Sequence, residues 1–305
     1  MRIKINNITF NSPIIAASGT FGYGDEATNF VDVEKIGCII TKSITIEERK
    51  GNPHPRIHQS STGMINAIGL SNIGVSRFCA EKLEKFNKIN TNFMISIAGS
   101  TTEDYLKVLD VIESQNGAHV GYEINISCPN VKKGGIEFGL EEDTVLSLTS
   151  ELRQLTDKLM FVKLSPNVTN IEKIALSAER GGADGISAVN TFLGLAIDYK
   201  TGEYLLSTKF GGVSGPPIKP LALAKINKIF ENVKVPILGM GGISNYKDII
   251  EFLRVGATMV QVGTLNYKDP SLMSKYYDDL NMFLKKNKIK SIGSLVGKCK
   301  IPVID

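Results

Sequence analysis

The chain has 305 residues, 42% of them hydrophobic and 22% charged, with a formal net charge of +4. This is a globular composition, long enough for one large domain or two small ones, and a mild charge without a dense basic stripe argues against a general nucleic-acid binder. No run reaches the roughly 18 apolar residues of a membrane-spanning helix, and the four cysteines, Cys38, Cys79, Cys128 and Cys299, are too irregularly spaced for a zinc or iron–sulfur site, so a cytoplasmic protein with reduced thiols is expected.

In chain order, residues 1–13 alternate like strand, without the long apolar core of a signal peptide, and are expected to form an N-terminal β-hairpin. Short apolar runs then recur at 13–18, 38–43, 93–99, 121–127, 160–165, 185–190, 236–242 and 259–264. Each is nearly continuous in hydrophobicity, as strands buried on both faces of a parallel sheet are. Amphipathic segments lie between them at 102–116, 142–155, 170–180, 220–230, 245–255 and 270–286. The first of these opens on Thr101-Thr102-Glu103-Asp104, a helix start. The cluster Lys285, Lys286, Lys288 and Lys290 reads as a solvated helix end.

Eight such alternations predict a single (β/α)8 barrel domain over residues 1–305. The rival, a doubly wound sheet, wants Gly-x-Gly-x-x-Gly after its first strand; the chain has Ala17-Ser18-Gly19-Thr20-Phe21-Gly22 there. Long loops follow strand two (44–73), strand four (the glycine-rich 131–139, a candidate lid) and strand six (191–217, with a hairpin tip at 198–204). In a barrel these loops gather at the C-terminal mouth, where active sites form.

Polar residues stand at the strand exits. In Glu123-Ile124-Asn125-Ile126-Ser127-Cys128-Pro129-Asn130, Asn125 and Ser127 share one strand face and Cys128 sits at the exit. Amides there can grip a planar imide or carboxylate, and a thiol can exchange protons; a strand-end turn with a buried cysteine is the plainer alternative. Lys42 and Lys163 lie within apolar strands, where an unpaired ammonium is costly, so each should meet an anion: a ligand, an inward carboxylate, or a Schiff-base substrate. The glycines of Gly239-Met240-Gly241-Gly242 and Val262-Gly263-Thr264 follow strands seven and eight, the usual phosphate position of a barrel, though tight turns would use glycine too. Asn66, in the first long loop, is either a turn former or a clamp over the mouth. His54, His58 and His119 have no evident triad or metal companion and receive no role. Without a histidine partner, Cys128 is a better proton acceptor than hydrolytic nucleophile.

Taken in order, the segments 17–22, 51–56 (Gly-Asn-Pro-His-Pro-Arg), 66–70 (Asn-Ala-Ile-Gly-Leu), 125–130, Asn190-Thr191 and 211–216 (Gly-Gly-Val-Ser-Gly-Pro) resemble the class 1 dihydroorotate dehydrogenases across essentially the whole chain. Cysteine at position 128 is similar to class 1, since the membrane-associated class has serine there, and the wording of 18–24 and 63–70 resembles the B type. The resemblance implies oxidation of (S)-dihydroorotate to orotate in pyrimidine (UMP) biosynthesis. Cys128 would remove the C5 proton while hydride from C6 passes to N5 of FMN. Lys42, Asn66, Ala67, Ile68, Gly69, Leu70, Asn125, Asn130, Asn190 and Thr191 would hold the substrate. Ser18, Lys42, Ser43, Asn125, Lys163, Val189 and Gly215 would contact FMN, with its phosphate on Gly241, Gly242, Gly263 and Thr264. Lys163 would answer the negative charge that grows on the flavin.

The chain departs from the family pattern at Ser96, where an asparagine usually faces the flavin; the shorter hydroxyl is expected as an FMN contact, direct or through water. It also has Glu48-Arg49-Lys50 where Pro-Arg is common. The B type works with a subunit carrying FAD and a [2Fe-2S] cluster and passes electrons to NAD, which implies a homodimer core within a heterotetramer. The alternatives are an A-type homodimer using fumarate, a tRNA-dihydrouridine synthase, and a non-catalytic barrel that binds a phosphorylated ligand.

Overall fold

The computed structural model describes residues 1–26, 29–127, 139 and 141–301. Eight strands follow one another around a closed barrel: β1 (Ile14–Ala16), β2 (Cys38–Ile40), β3 (Asn92–Ile97), β4 (Gly121–Asn125), β5 (Leu159–Lys163), β6 (Gly185–Ala188), β7 (Ile237–Met240) and β8 (Met259–Val262). Every neighbouring pair is parallel and β8 closes on β1. Apart from Asn92, every residue of these strands is buried, which is why their sequences are continuous rather than alternating.

The outer layer is α1 (Val75–Glu81), α2 (Thr102–Glu113), α3 (Glu142–Arg153), α4 (Ile171–Arg180), α5 (Lys219–Phe230), α6 (Tyr246–Arg254) and α7 (Leu272–Lys286). Helix α2 buries Tyr105, Val108, Leu109 and Ile112, the spacing of one helical face. Its start is the expected one: Thr101 accepts from Asp104 N and the Asp104 side chain reaches back. Asn245 and Asp248 repeat this capping box on α6. Helix α1 has only seven residues and opens on Gly74 with no side-chain cap, so no sequence signal announced it.

The expected N-terminal hairpin pairs Ile3–Ile5 with Ile8–Phe10. It closes the lower end of the barrel, where Asn6 donates to Asp184 before β6 and Asn92 at the start of β3 donates to Thr9 O. At the other end the two long insertions are not separate loops. Ile57–Gln59 and Met64–Asn66 from the first join Phe192–Leu195 and Phe210–Ser214 from the second in one four-stranded antiparallel sheet. Ile65, Ala67 and Leu206 give that sheet a small core of its own. No helix among the described residues is long and apolar enough to cross a membrane.

Candidate active site

The strand exits and the added sheet enclose a cavity of 1890 Å³ at the barrel mouth. It brings together Ser18 after β1, Lys42 and Ser43 after β2, Asn125 on β4, Lys163 on β5, and Val189, Asn190 and Thr191 after β6. Asn66, Ala67, Ile68, Gly69 and Leu70 line it from the first insertion, Gly215 from the second, and Gly241, Gly242, Gly263 and Thr264 from the loops after β7 and β8. Cys128, Asn130 and the candidate lid up to residue 138 lie outside the described residues.

Ser96 stands one layer behind the cavity wall. It is fully buried on β3 and does not line the cavity. Its hydroxyl shares a 2.8 Å hydrogen bond with Ser43 Oγ, and Ser43 holds the place at the wall. Through that bond Ser96 can orient the Ser43 hydroxyl.

That pair begins a chain of hydrogen bonds across the cavity wall. Asn125 Nδ2 donates to Ser43 Oγ (3.1 Å), Ser127 Oγ donates to Asn125 Oδ1 (2.7 Å), and Asn190 Nδ2 donates to Ser127 Oγ (2.5 Å). The Tyr105 hydroxyl, from α2, anchors the Asn125 carbonyl at 2.8 Å. The amides are thus held in place before any ligand arrives, which lowers the ordering cost of binding.

Lys42 is half-buried in the same wall, and Arg56 from the first insertion shares the cavity. Burial lowers the Lys42 pKa, the Arg56 guanidinium lowers it further, and Glu26 opposes both. Two cations beside fixed amides suit a planar, anionic, hydrogen-bonding ligand. The strap 66–70 is pinned from behind. Asn52 donates to Ala67 O, Asn52 N donates to Ile68 O, and Asn72 bonds Leu70 O and the Thr45 hydroxyl. Gly69 has φ +75°, and a Cβ there would lie 2.8 Å from Asn52 N, so only glycine permits this approach.

At the far end, Asp248 fixes the loop after β7 by accepting from Ser244 N, Asn245 N and Lys219 Nζ. Asn266 ties the loops after β8 and β1 together by donating to Val262 O and Thr20 Oγ1. The 3-10 turn Thr264–Tyr267 starts at Gly263, and the first N–H groups of such a turn have no partner within it. A Cβ at Gly263 would meet only ordinary contacts, the nearest with Ala17 Cβ at 3.6 Å. Ser214 Oγ and Gln261 Oε1, on residues lining the cavity, are buried without a partner among the described residues. Unpaired buried polar atoms, Lys42 and Lys163, and the glycine-bearing loops after β7 and β8 fit a phosphorylated ring system such as FMN.

The structure adds residues that sequence reasoning passed over. Glu123 lies inside the barrel, 0% exposed, with Lys163 Nζ at 3.3 Å and Gln261 Nε2 at 2.7 Å. Its signal was available: it shares the strand face of Asn125 and is charged within an apolar run. Asn167 also lines the cavity and carries the second insertion, donating to Thr191 O and accepting from Leu193 N. His119, by contrast, is at the base, bonded to Tyr122, whose hydroxyl donates to Glu113.

Residues 1–284 match the sequence profile of a family described as dihydroorotate dehydrogenase. A Bacteroides thetaiotaomicron protein named dihydroorotate dehydrogenase B (NAD(+)), catalytic subunit, is 40% identical over 301 residues, covering 99% of both chains. One of the same name from Geotalea uraniireducens is 42% identical over 297 residues, covering 97% of each. Among solved structures, a DHODH from Eimeria tenella, crystallised with ferulenol, superposes with a TM-score of 0.79 over 97% of this chain and 88% of that one. At 22% identity that likeness speaks for the fold alone.

Proposed function

The chain belongs to the dihydroorotate dehydrogenase family, and from that premise we propose that it is the catalytic subunit of a B-type enzyme, oxidising (S)-dihydroorotate to orotate in pyrimidine biosynthesis. One observation carries the reading: Lys42, Asn125, Asn190 and the strap from Asn66 to Leu70, dispersed in sequence, converge on one cavity. Orotate is a flat imide with a carboxylate. Fixed amides match its ring edges, and a lysine matches its carboxylate.

Bound FMN would supply the two-electron acceptor, taking hydride from C6 of the substrate at N5. The rest is the work of side chains. Cys128 is the base that removes the C5 proton, and it directly follows Ser127, whose hydroxyl Asn125 and Asn190 hold. Lys42 and the amides would hold the ring in one orientation for that proton transfer. Lys163 places a positive charge on the floor, where it stabilises the charge that accumulates on reduction. Gly241, Gly242, Gly263 and Thr264 would hold the cofactor phosphate through backbone N–H groups.

Relatives called catalytic subunits imply a second subunit. We assign it the FAD and the [2Fe-2S] cluster through which electrons reach NAD, around a homodimeric core in a cytoplasmic heterotetramer. An anaerobic spectrum of the purified chain tests the reading. Dihydroorotate should bleach the flavin, and NAD alone should not restore it. Restoration by fumarate would place the chain in the A type, direct restoration by NAD would remove the need for a partner, and a folded chain unable to bind FMN would overturn the redox reading.

A further inference from the structure

Beneath the cavity floor lies a buried carboxylate, Glu123, to which the proposed chemistry gives no role. Glu123 projects inward from β4 with no exposed surface. One carboxylate oxygen is 3.3 Å from the Lys163 ammonium on β5. The other accepts from Gln261 Nε2 of β8 at 2.7 Å, and the same Nε2 donates to Ser187 Oγ of β6 at 3.0 Å. Side chains from β5 and β8 therefore meet on the β4 carboxylate, and β6 joins through Gln261. Glu123 itself is not among the residues lining the cavity, whereas Lys163 and Gln261 are.

We infer that Glu123 is a positioning residue that acts through Lys163 to set the reduction potential of the flavin. The inference rests on the FMN reading above. A buried carboxylate is costly unless paired and hydrogen-bonded, and here both conditions are met by residues that form the floor. The Lys163 ammonium has three donors; Glu123 engages one, which fixes its height beneath the cavity and leaves others for a ligand. The pair is also electrically neutral. Two-electron reduction leaves negative charge on the flavin ring system, so the floor's net charge weighs directly on the equilibrium between the two forms. Glu123 tempers the pull of Lys163: with the carboxylate present the floor is neutral, and with it removed the floor carries one positive charge.

Glu123→Gln keeps the size of the side chain and an acceptor for Gln261 while removing the charge. In the flavin-loaded chain, the variant should shift the oxidised–reduced equilibrium toward reduced flavin by tenfold or more, about 30 mV upward for a two-electron couple. In a Lys163→Gln background the same change should move the potential clearly less, because Glu123 then has no Lys163 to act through. A merely structural Glu123 would lower the melting temperature without moving the potential. The measurement is anaerobic equilibration with a reference dye, on wild type, both single variants and the double variant. An unchanged or lowered potential in E123Q, or an equal rise in the Lys163→Gln background, overturns the inference. Wild-type chain that binds no flavin overturns the functional reading and this inference with it; flavin present with no shift overturns the inference alone. Should E123Q fail to fold, Gln261→Leu decides. It keeps both charges but removes the competing donor, so Glu123 holds Lys163 harder and the potential should fall; an unchanged or raised potential overturns the inference.

Discussion

Asn125 and Asn190 hold opposite sides of one hydroxyl: Ser127 Oγ donates to Asn125 Oδ1 at 2.7 Å and accepts from Asn190 Nδ2 at 2.5 Å. Two amides on separate strand exits are thereby kept in one relative orientation. Ser127→Ala removes that link without emptying appreciable space. We expect kcat/KM for dihydroorotate to fall about tenfold, a net loss of about 1.5 kcal/mol for the two hydrogen bonds removed. Steady-state kinetics with unchanged flavin content checks it; an unaltered kcat/KM would mean the amides hold themselves.

Cys128→Ala should retain FMN and slow flavin reduction by dihydroorotate by about 100-fold or more, the usual contribution of a general base. Stopped-flow absorbance under anaerobic conditions reads this directly. Near-normal reduction would remove Cys128 from the mechanism.

Lys42→Ala should raise KM by roughly tenfold or more, since a hydrogen bond to a charged group contributes about 1.5–3 kcal/mol. Arg56 also lines the cavity and would remain as a second cation, so Arg56→Ala together with Lys42→Ala should exceed either alone. Product inhibition by orotate provides the independent check.

The two glycine sites should respond differently. Gly242 has φ +82°, and a Cβ there would lie 2.8 Å from Lys219 N and 2.9 Å from Gly215 O, so Gly242→Ala should weaken FMN binding and lower the melting temperature together. Gly263 has room, so Gly263→Ala should leave the melting temperature near wild type while costing FMN affinity tenfold or more. Fluorescence titration of flavin-depleted protein, alongside thermal melts, separates the two.

Burial holds the His119 imidazole at about 4, below its ordinary 6.5, with the Lys158 ammonium adding to the shift and Glu113 opposing it. The unfolded chain takes up a proton near 6.5 and the folded chain does not until about 4. His119 therefore contributes stability above the unfolded value, and that stability is lost as pH falls from 6.5 toward 4, by about 3 kcal/mol at most. Melting temperatures across this range should fall less steeply in His119→Gln. Identical slopes would place the acid sensitivity elsewhere.

All eight barrel strands were legible because a strand buried on both faces has no reason to alternate, and the capping boxes of α2 and α6 were written in adjacent residues. The strands Ile57–Gln59 and Met64–Asn66 were not legible. They are three residues each, and their pairing depends on Phe210–Ser214, far along the chain. The Ser43–Ser96 hydrogen bond was hidden for a related reason: only the packed barrel brings these two residues, 53 positions apart, together.

By itself, the sequence determined the barrel, the order of the motifs around its mouth and the need of Lys42 and Lys163 for negative charge, because burial pattern and charge cost are properties of local residue type. The tertiary structure alone decided which anion answers Lys163. Glu123 lies 40 positions from Lys163 and 138 from Gln261. Contacts of that separation are set by barrel closure, which brings β4, β5, β6 and β8 around one interior; no local pattern encodes them.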